Sequence, residues 1–385
     1  MKKLLFAFLI IPILSVDSQT WLRIELNIQV NLNDISFYGP DHAWIVGDSG
    51  TIFRYSSENW QKIESGTIQN LRAVHIVDTN NIWMAGDNGT ILNYNSGESL
   101  TYVSPVNVRL NDIFMLDSNG GWIAGNSGTI LEFLNNEWHL YNVPNVNNDL
   151  QQIDFYNDTT GMMVGFWGLV LQYNGEWQNV TAGNTVDHCS VCYLDSNNYL
   201  IGTRQTGHWS LHSTWIKKYP SAQVLYSNGS IAEQISAIRV IDSVGWAVGR
   251  EGNIFIYNGL NFQYFQNAGT QLNSMWMVND TTAWAVGNNG YLLQYSQNAQ
   301  SINEISPDEI KVYPNPFTDY VFVQSHNGEI DEIHAINSSG QTIHSIIHAK
   351  NEDMIRVNLS FAKAGMIFLK IISGNSVVVR KIIKY

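Results

Sequence analysis

The sequence predicts an all-β fold, and three observations support this. The 385 residues include 13 Trp, 18 Tyr and 30 Gly, a composition typical of half-buried strands joined by many turns. A strand–turn–strand pattern recurs, as in "AWIVGDSGTIFRY" (43–55), "IWMAGDNGTILNY" (82–94) and "GWIAGNSGTILEF" (121–133). The pattern contains no heptads, no Gly-X-Y repeat and no helical periodicity. We therefore expect sheets built from repeated strands.

The N-terminus has the features of an export signal. Two lysines precede the apolar run Leu4–Leu14, and Val16 and Ser18 provide small residues for a cleavage site. The run is shorter than a membrane-spanning helix requires. Residues 1–18 are therefore predicted to be a signal peptide, and we expect no membrane span after its removal.

A glycine that follows each Trp-containing strand marks seven copies of the repeat. These glycines, separated by 39, 39, 40, 37, 47 and 38 residues, are Gly47, Gly86, Gly125, Gly165, Gly202, Gly249 and Gly287. Each copy reads as four strands, and the last strand is headed by an aromatic residue. All-strand units of about 40 residues indicate propeller blades. Residues 19–297 are therefore predicted to form a seven-bladed β-propeller.

One aromatic position recurs in the second strand of the copies. It is occupied by Trp44, Trp83, Trp122, Trp246 and Trp284, with Met162 and Tyr199 in the other two copies. Side chains of this size can fill the space between neighbouring blades. We expect them in the core rather than in a binding site.

The two ends of the repeat region complement each other. The seventh copy stops at "YLLQYSQ" (291–297) without an aromatic-headed fourth strand, and "QTWLRIELN" (19–27) has such a strand but not the three before it. We predict that Trp21–Leu26 pairs beside residues 291–295. That pairing closes the ring and removes the free sheet edges.

The motif V-G-x-x-G-T-I-L-x-Y, followed by Trp, resembles propellers related to photosystem II assembly factors and to bacterial neuraminidase-repeat proteins. The resemblance covers residues 21–297 and implies the fold, with little information about function. The full aspartate-box pattern of the neuraminidases is missing, and no arginine triad can be carried over.

The C-terminal part departs from the repeat. Residues 298–309, "NAQSINEISPDE", read as a linker, and residues 310–385 read as a small β-sandwich of alternating strands and turns. Its motifs are Tyr313, Pro314, Asn315 and Pro316 near the start, then Gly340, Gly365 and a basic-hydrophobic end at Lys381. In this order they resemble the C-terminal sorting domain of the type IX secretion system of the Bacteroidota.

The resemblance implies a route out of the cell. The sorting domain would be Ig-like, would be read by the type IX secretion machinery and would direct the protein to the cell surface or the medium. An ordinary Ig-like binding module is the alternative.

The composition excludes some functions. The net charge is −13, so nucleic acid is not an expected partner, since phosphate contacts need clustered Lys and Arg. No zinc, P-loop, G-x-S-x-G or H-E-x-x-H motif occurs, so we expect no cofactor, no metal and no catalytic residues. Asp residues recur in turns, where turn chemistry is favoured over calcium binding. Cys189 and Cys192 are expected to be structural thiols, with a local disulfide or a redox pair as alternatives.

The fourth and fifth copies contain the candidate ligand-binding residues. In most copies the turn between the second and third strands is polar. In the fourth copy this turn contains Phe166-Trp167, and in the fifth it contains Arg204, followed by His208 and Trp209. Exposed apolar clusters often mark contact sites. We interpret these five residues as a recognition surface. The alternative is that the insertion at 213–234 folds over the turn and buries Phe166 and Trp167.

These observations favour a secreted or cell-surface binding protein that is monomeric, with an unknown glycan or protein ligand and no evident catalysis. One alternative is an extracellular glycan hydrolase or lyase, which would need paired carboxylates in a cleft. Another is a scaffold or assembly factor for exported proteins.

Overall fold

The computed structural model describes residues 21–56, 59–181, 186–204, 214–228, 233–296, 310–325, 330, 332–337, 342–347, 354–373 and 376–385. Contacts divide the chain into a propeller-region unit, Thr20–Gln297, and a tail unit that contains Asn298–Tyr385. The predicted signal peptide and the predicted linker lie outside the described residues. Within the described residues, no helix has the length and apolar character needed to cross a membrane.

The propeller-region unit consists of four-stranded antiparallel sheets, seven of them among the described residues. The strands are β1 (Trp21–Ile24), β2 (Leu32–Phe37), β3 (Ala43–Gly47), β4 (Ile52–Ser56), β5 (Asn59–Ile63), β6 (Leu71–Asp78), β7 (Asn81–Gly86), β8 (Ile91–Asn95), β9 (Glu98–Tyr102), β10 (Leu110–Met115), β11 (Gly121–Gly125), β12 (Ile130–Leu134), β13 (Glu137–Tyr141) and β14 (Leu150–Asn157). They continue with β15 (Thr160–Gly165), β16 (Val170–Tyr173), β17 (Trp177–Asn179), β18 (Asp187–Tyr193), β19 (Tyr199–Arg204), β20 (Thr214–Tyr219), β21 (Gln223–Asn228), β22 (Ile235–Ile241), β23 (Val244–Gly249), β24 (Asn253–Tyr257), β25 (Phe262–Asn267), β26 (Leu272–Asn279), β27 (Thr282–Gly287) and β28 (Leu292–Ser296).

Six of these sheets are built from four consecutive strands, and the seventh joins the two ends of the unit. Its order is β1-β28-β27-β26, with Trp21 opposite Tyr295 and Ile24 opposite Leu292. The expected pairing of the N-terminal strand is therefore present, although the strand ends at Ile24 and not at Leu26.

The first strands of successive sheets contact each other, and β2 contacts both β6 and β26. Buried side chains join these strands. Asp34 Oδ2 accepts a hydrogen bond from Val74 N at 2.8 Å, and Asp112 Oδ2 accepts one from Ile153 N at 2.9 Å. Each carboxylate thus satisfies a backbone amide of the next sheet, which an apolar side chain could not do.

The recurrent Trp position lies in the core, as predicted. Trp44, Trp83, Trp122, Trp246 and Trp284 are 1–4% exposed. They pack against aromatic side chains of the same or the next sheet; for example, Trp83 meets Trp138 edge-on with ring centroids 5.6 Å apart. Such pairs add directional contacts to the apolar burial that holds the sheets together.

The predicted position of the repeat glycine in the fifth copy was wrong by one residue. His188 pairs with Thr203 as Leu32 pairs with Gly47, so Thr203, and not Gly202, occupies the glycine position. Leu200 therefore takes the place of the recurrent Trp. Tyr199 instead stacks on Tyr219, with ring centroids 5.4 Å apart. The bulge between His188 and Ser190 matches the one between Leu32 and Asp34, so the strand pairing is the same and only the glycine is one residue early.

The tail unit contains two sheets. Its strands are β29 (Ile310–Tyr313), β30 (Tyr320–Ser325), β31 (Glu332–Asn337), β32 (Thr342–Ile347), β33 (Met354–Asn358), β34 (Gly365–Ser373) and β35 (Ser376–Lys384). The orders are β29-β30-β33 and β32-β31-β34-β35. Both sheets contribute to one apolar core that includes Val323, Val357 and Leu369.

Candidate recognition surface on the turn rim

The turn Phe166–Gly168, between β15 and β16, places a large aromatic side chain in water. Trp167 has φ 60° and ψ 33°, and its side chain is 63% exposed. The equivalent positions in other sheets, with the same left-handed backbone, are Ser49, Asn88, Ser127 and Asn289. A bulky residue with positive φ is unusual and costs conformational energy. Trp167 therefore adds exposed apolar surface at a position where the fold favours a small polar residue.

A carboxylate on the neighbouring sheet holds this turn. Asp187, at the start of β18, accepts a hydrogen bond from Trp167 N at 3.0 Å through Oδ1. Its Oδ2 accepts one from Arg204 Nη2 at 2.5 Å. Other sheets use a similar bond to the turn, since Ser127 N donates to Asp149 Oδ1 at 2.8 Å. Asp187 was not singled out from the sequence, because its role depends on pairing between sheets.

Arg204, which Asp187 holds, also contacts Phe166, the other aromatic residue of the turn. Its guanidinium carbon lies 4.4 Å from the centre of the Phe166 ring, a cation–π contact. Phe166 is half-buried under it. The structure thus brings together three of the five predicted residues, Phe166, Trp167 and Arg204, whereas His208 and Trp209 lie outside the described residues.

The insertion of the fifth copy supplies strands to its own sheet. Thr214–Tyr219 and Gln223–Asn228 form β20 and β21, the third and fourth strands of that sheet. Trp167 remains exposed beside them. Burial of Trp167 by this insertion, the alternative considered from the sequence, therefore does not occur.

A polar cavity of about 360 Å³, here called the polar mouth, opens among the first strands and the residues that precede them. Seven side chains at equivalent positions of β2, β6, β10, β14, β18, β22 and β26 line it: Asn33, Arg72, Asn111, Gln151, Cys189, Ser236 and Asn273. Its lining contains Arg, Asn, Gln, Ser and Cys residues but no carboxylate and no aliphatic or aromatic residue.

Two asparagines of the polar mouth, Asn33 and Asn111, have both amide hydrogens committed. Asn33 Nδ2 donates to Asp48 Oδ1 at 2.9 Å and to Leu71 O at 2.7 Å. Asn111 Nδ2 makes the equivalent pair of bonds, to Asn126 Oδ1 and Leu150 O. Asn111 Oδ1 is buried and accepts no hydrogen bond from the described residues. Of these two side chains, Asn33 is therefore the one whose carbonyl oxygen can accept from a ligand.

The two arginines of the polar mouth differ in how firmly carboxylates hold their guanidinium groups. Arg72 donates to Asp87 through Nε and Nη2 and to Asp48 through Nη1, so it is held in one position. Arg109 lies 3.8 Å from Asp87, too far for a hydrogen bond, and its side chain is 48% exposed. Partial burial, together with the neighbouring Arg72, lowers the pKa of Arg109. Within the described part of the chain, Arg109 is the less committed guanidinium at this cavity.

The cysteines form no disulfide in the structure. Cys189 and Cys192 are free and buried. Burial raises the pKa of each thiol to about 12, so both are protonated near neutral pH. This agrees with structural thiols and gives no support to a redox pair, which needs a lowered thiol pKa.

Other buried charges lie on the first strands. Asp34, Asp112 and Asp154 each accept a backbone hydrogen bond from the next sheet. Burial, followed by the charge of Asp34, raises the pKa of Asp112 to about 8. Because these groups are buried and already bonded, they do not form the open carboxylate pair that glycoside hydrolysis needs. The repeated L-N-D-I of the first and third copies was the signal for Asp34 and Asp112 in the sequence, and Asp154 lies outside that pattern.

The sorting motif contacts the C-terminal strand of the tail unit. Asn315 Oδ1 accepts a hydrogen bond from Ile383 N at 2.8 Å, and Phe317 N donates to Ile383 O at 2.9 Å. Pro314 and Pro316 are exposed on either side of Asn315. Tyr313 donates through its hydroxyl to Gln324 Oε1. Gly365 starts β34 with φ 137°, Lys381 lies in β35, and Gly340 is outside the described residues.

Residues 311–385 match the family of secretion system C-terminal sorting domains. The tail is therefore a sorting domain of the kind that directs proteins through the type IX system to the cell surface or the extracellular space. This agrees with the resemblance found in the sequence and implies an interaction with that secretion machinery.

Solved structures similar to this chain are β-propellers. YCF48 bound to D1 peptide matches with a TM-score of 0.59 and 13% identity, over 72% of this chain and 95% of that one. YCF48 from Cyanidioschyzon merolae matches with a TM-score of 0.57 and 14% identity, over 72% and 98%. The WD40 β-propeller domain of Doa1 matches with a TM-score of 0.58 and 12% identity, over 72% and 96%. At these identities the likeness shows the fold alone, and no curated protein matches the chain.

Proposed function

We propose that this chain, which joins a β-propeller to a secretion system C-terminal sorting domain, is a recognition protein of the cell surface or medium. The exposure of Trp167 carries the proposal. A Trp with positive φ contributes little to the core, and Asp187 and Arg204 fix the turn that presents it. A rigid aromatic group on a fixed turn is suited to stack on a sugar face or to pack against a protein.

The proposed organisation follows the sequence. Residues 1–18 are the signal peptide, 19–297 form a seven-bladed propeller, 298–309 are the linker, and 310–385 are an Ig-like sorting domain. The pairing of β1 with β28 and the contacts between first strands support ring closure. The two sheets around one core support a sandwich in the tail.

The proposed binding surface contains Phe166, Trp167 and Arg204, with His208 and Trp209 as further members. Its ligand is an extracellular glycan or protein, bound by shape and aromatic contact without catalysis. One of the similar propellers, YCF48, has been solved with a bound D1 peptide, so a propeller of this fold can serve as a binding protein.

The test uses the mature full-length protein and two matched variants. Trp167→Ala removes the exposed rim aromatic, and Tyr264→Ala removes a similarly exposed aromatic, 60% exposed, from β25. Binding to a glycan array and to producer cells should fall for Trp167→Ala only, with unchanged thermal stability. Unchanged binding by Trp167→Ala would overturn the proposal. Release of reducing sugars, measured in parallel, would instead indicate the glycan hydrolase or lyase.

A further inference from the structure

We infer that the polar mouth is a subsite for a carboxylate-bearing sugar, so that the ligand of the rim is an acidic polysaccharide. This inference rests on the proposed function, because it assumes that the rim binds an extracellular ligand. It adds a second set of contacts to Trp167 and names the chemical class of the ligand.

Two arginines line the polar mouth, and the carboxylates that balance their charge lie behind the lining. The chain has a net charge of −13, yet no Asp or Glu lines the cavity, whereas Arg72 and Arg109 do. Asp48 and Asp87 hold Arg72 in place, whereas the guanidinium of Arg109 has only a loose ion pair with Asp87, at 3.8 Å. A carboxylate that accepts from Arg109 would relieve the repulsion between the two guanidinium groups.

The remainder of the cavity matches hydroxyl groups. Asn33 has committed its amide hydrogens to Asp48 and to Leu71 of the neighbouring sheet and keeps its carbonyl oxygen as an acceptor. Gln151 adds an amide to the same lining. A sugar hydroxyl can donate to such oxygens and accept from such amides. An acidic peptide fits less well, because the lining has no apolar residue to receive its side chains.

Strand β18 connects the polar mouth to the rim aromatic. Asp187 bonds to the backbone of Trp167, and Cys189, two residues further along β18, lines the polar mouth. A polymer that contacts both Trp167 and the polar mouth would therefore lie along the end of β18. A repeating chain of acidic sugars fits this arrangement better than a small isolated anion does.

The experiment measures binding of the mature full-length protein to polygalacturonate and alginate. The controls are the same polymers after their carboxyl groups have been reduced to alcohols. Wild-type protein should bind the polyuronates about tenfold or more tightly than the reduced polymers, since a hydrogen bond to a charged group has that effect. Arg109→Gln should remove this preference, whereas Lys62→Gln, which removes a positive charge from exposed β5, should keep it. Trp167→Ala should weaken binding to both kinds of polymer.

The outcomes separate this inference from the proposed function. Equal affinity for charged and reduced polymers, or an unchanged preference in Arg109→Gln, would overturn the acidic-sugar subsite. In either case, weaker polymer binding by Trp167→Ala would still support recognition by the rim. Binding of poly-L-glutamate as tight as that of the polyuronates would overturn the assignment to sugars. Absence of binding to all of these polymers would overturn it as well.

Discussion

Asp187 Oδ1 accepts a hydrogen bond from Trp167 N at 3.0 Å, and this bond joins the fourth sheet of the propeller region to the fifth. Through its other oxygen the same carboxylate holds Arg204, whose guanidinium covers Phe166. One buried group therefore positions the three described residues of the candidate surface. Its side chain is 5% exposed, so removal of the carboxylate leaves partners without compensation from water.

Asp187→Ala should lower the free energy of unfolding by about 2–3 kcal/mol, because it leaves Arg204 and the Trp167 amide without their acceptor. Asp158→Ala, at an exposed turn of the fourth sheet, is the control and should change stability by less than about 0.5 kcal/mol. Urea unfolding measures both variants. Equal stability of the two would show that Asp187 does not hold the turn.

Trp167→Asn should separate stability from binding. Asn occupies the same position in two other turns, at Asn88 and Asn289, and tolerates positive φ better than Trp does. We expect the substitution to raise the free energy of unfolding by up to about 1 kcal/mol and to abolish ligand binding. A loss of stability would mean that the Trp167 side chain supports the fold.

The stability of the protein should fall as the pH rises from about 6.5 to about 8. Burial raises the pKa of Asp112 from its ordinary value of 3.8 to about 8, so the folded state retains a proton that the unfolded state has lost. Stability therefore decreases as the pH approaches 8. The pKa of His75 is lowered to about 4, so its titration affects stability below this window.

Asp112→Asn, a neutral residue of the same shape, should flatten this slope. The difference between the two proteins over this interval should be about 1–2 kcal/mol. Denaturant unfolding at a series of pH values measures the slope. An identical slope in the variant would assign the pH dependence to another group.

Two adjacent residues of β1 test the pairing of the chain ends. Trp21 is 4% exposed and packs edge-on against Trp246 at 5.2 Å, whereas Leu22 is 52% exposed. Trp21→Ala should therefore cost about 3–5 kcal/mol, and Leu22→Ala should cost less than about 1 kcal/mol. Thermal and urea unfolding give the comparison. Similar small effects of both substitutions would argue against a packed N-terminal strand.

The repeat made most of the propeller region predictable, because each copy confirms the strand pattern of the others. The pairing of Trp21 with Tyr295 followed from a missing strand at one end and an extra strand at the other. The fifth copy was displaced by one residue because Thr203 stands where the other copies have glycine and Gly202 directly precedes it. Only the strand pairing distinguishes these two neighbouring positions.

The candidate site was partly predictable. Trp167 was noticed because it replaces a small polar residue in an otherwise repeated turn. The contribution of Asp187 could not be predicted, since it depends on which sheets are neighbours. The same holds for the polar mouth, where residues about 40 positions apart, such as Asn33 and Arg72, line one cavity. The roles of His208 and Trp209 remain predictions.

Hydrogen–deuterium exchange of the mature protein, with and without a bound polysaccharide, tests the central claim that the turn rim is the binding surface. We predict ligand-dependent protection of backbone amides in the turn 166–168 and in the segment 186–189 that holds it. Protection confined to outer strands such as β9 and β25, with no change in the turn, would contradict the account.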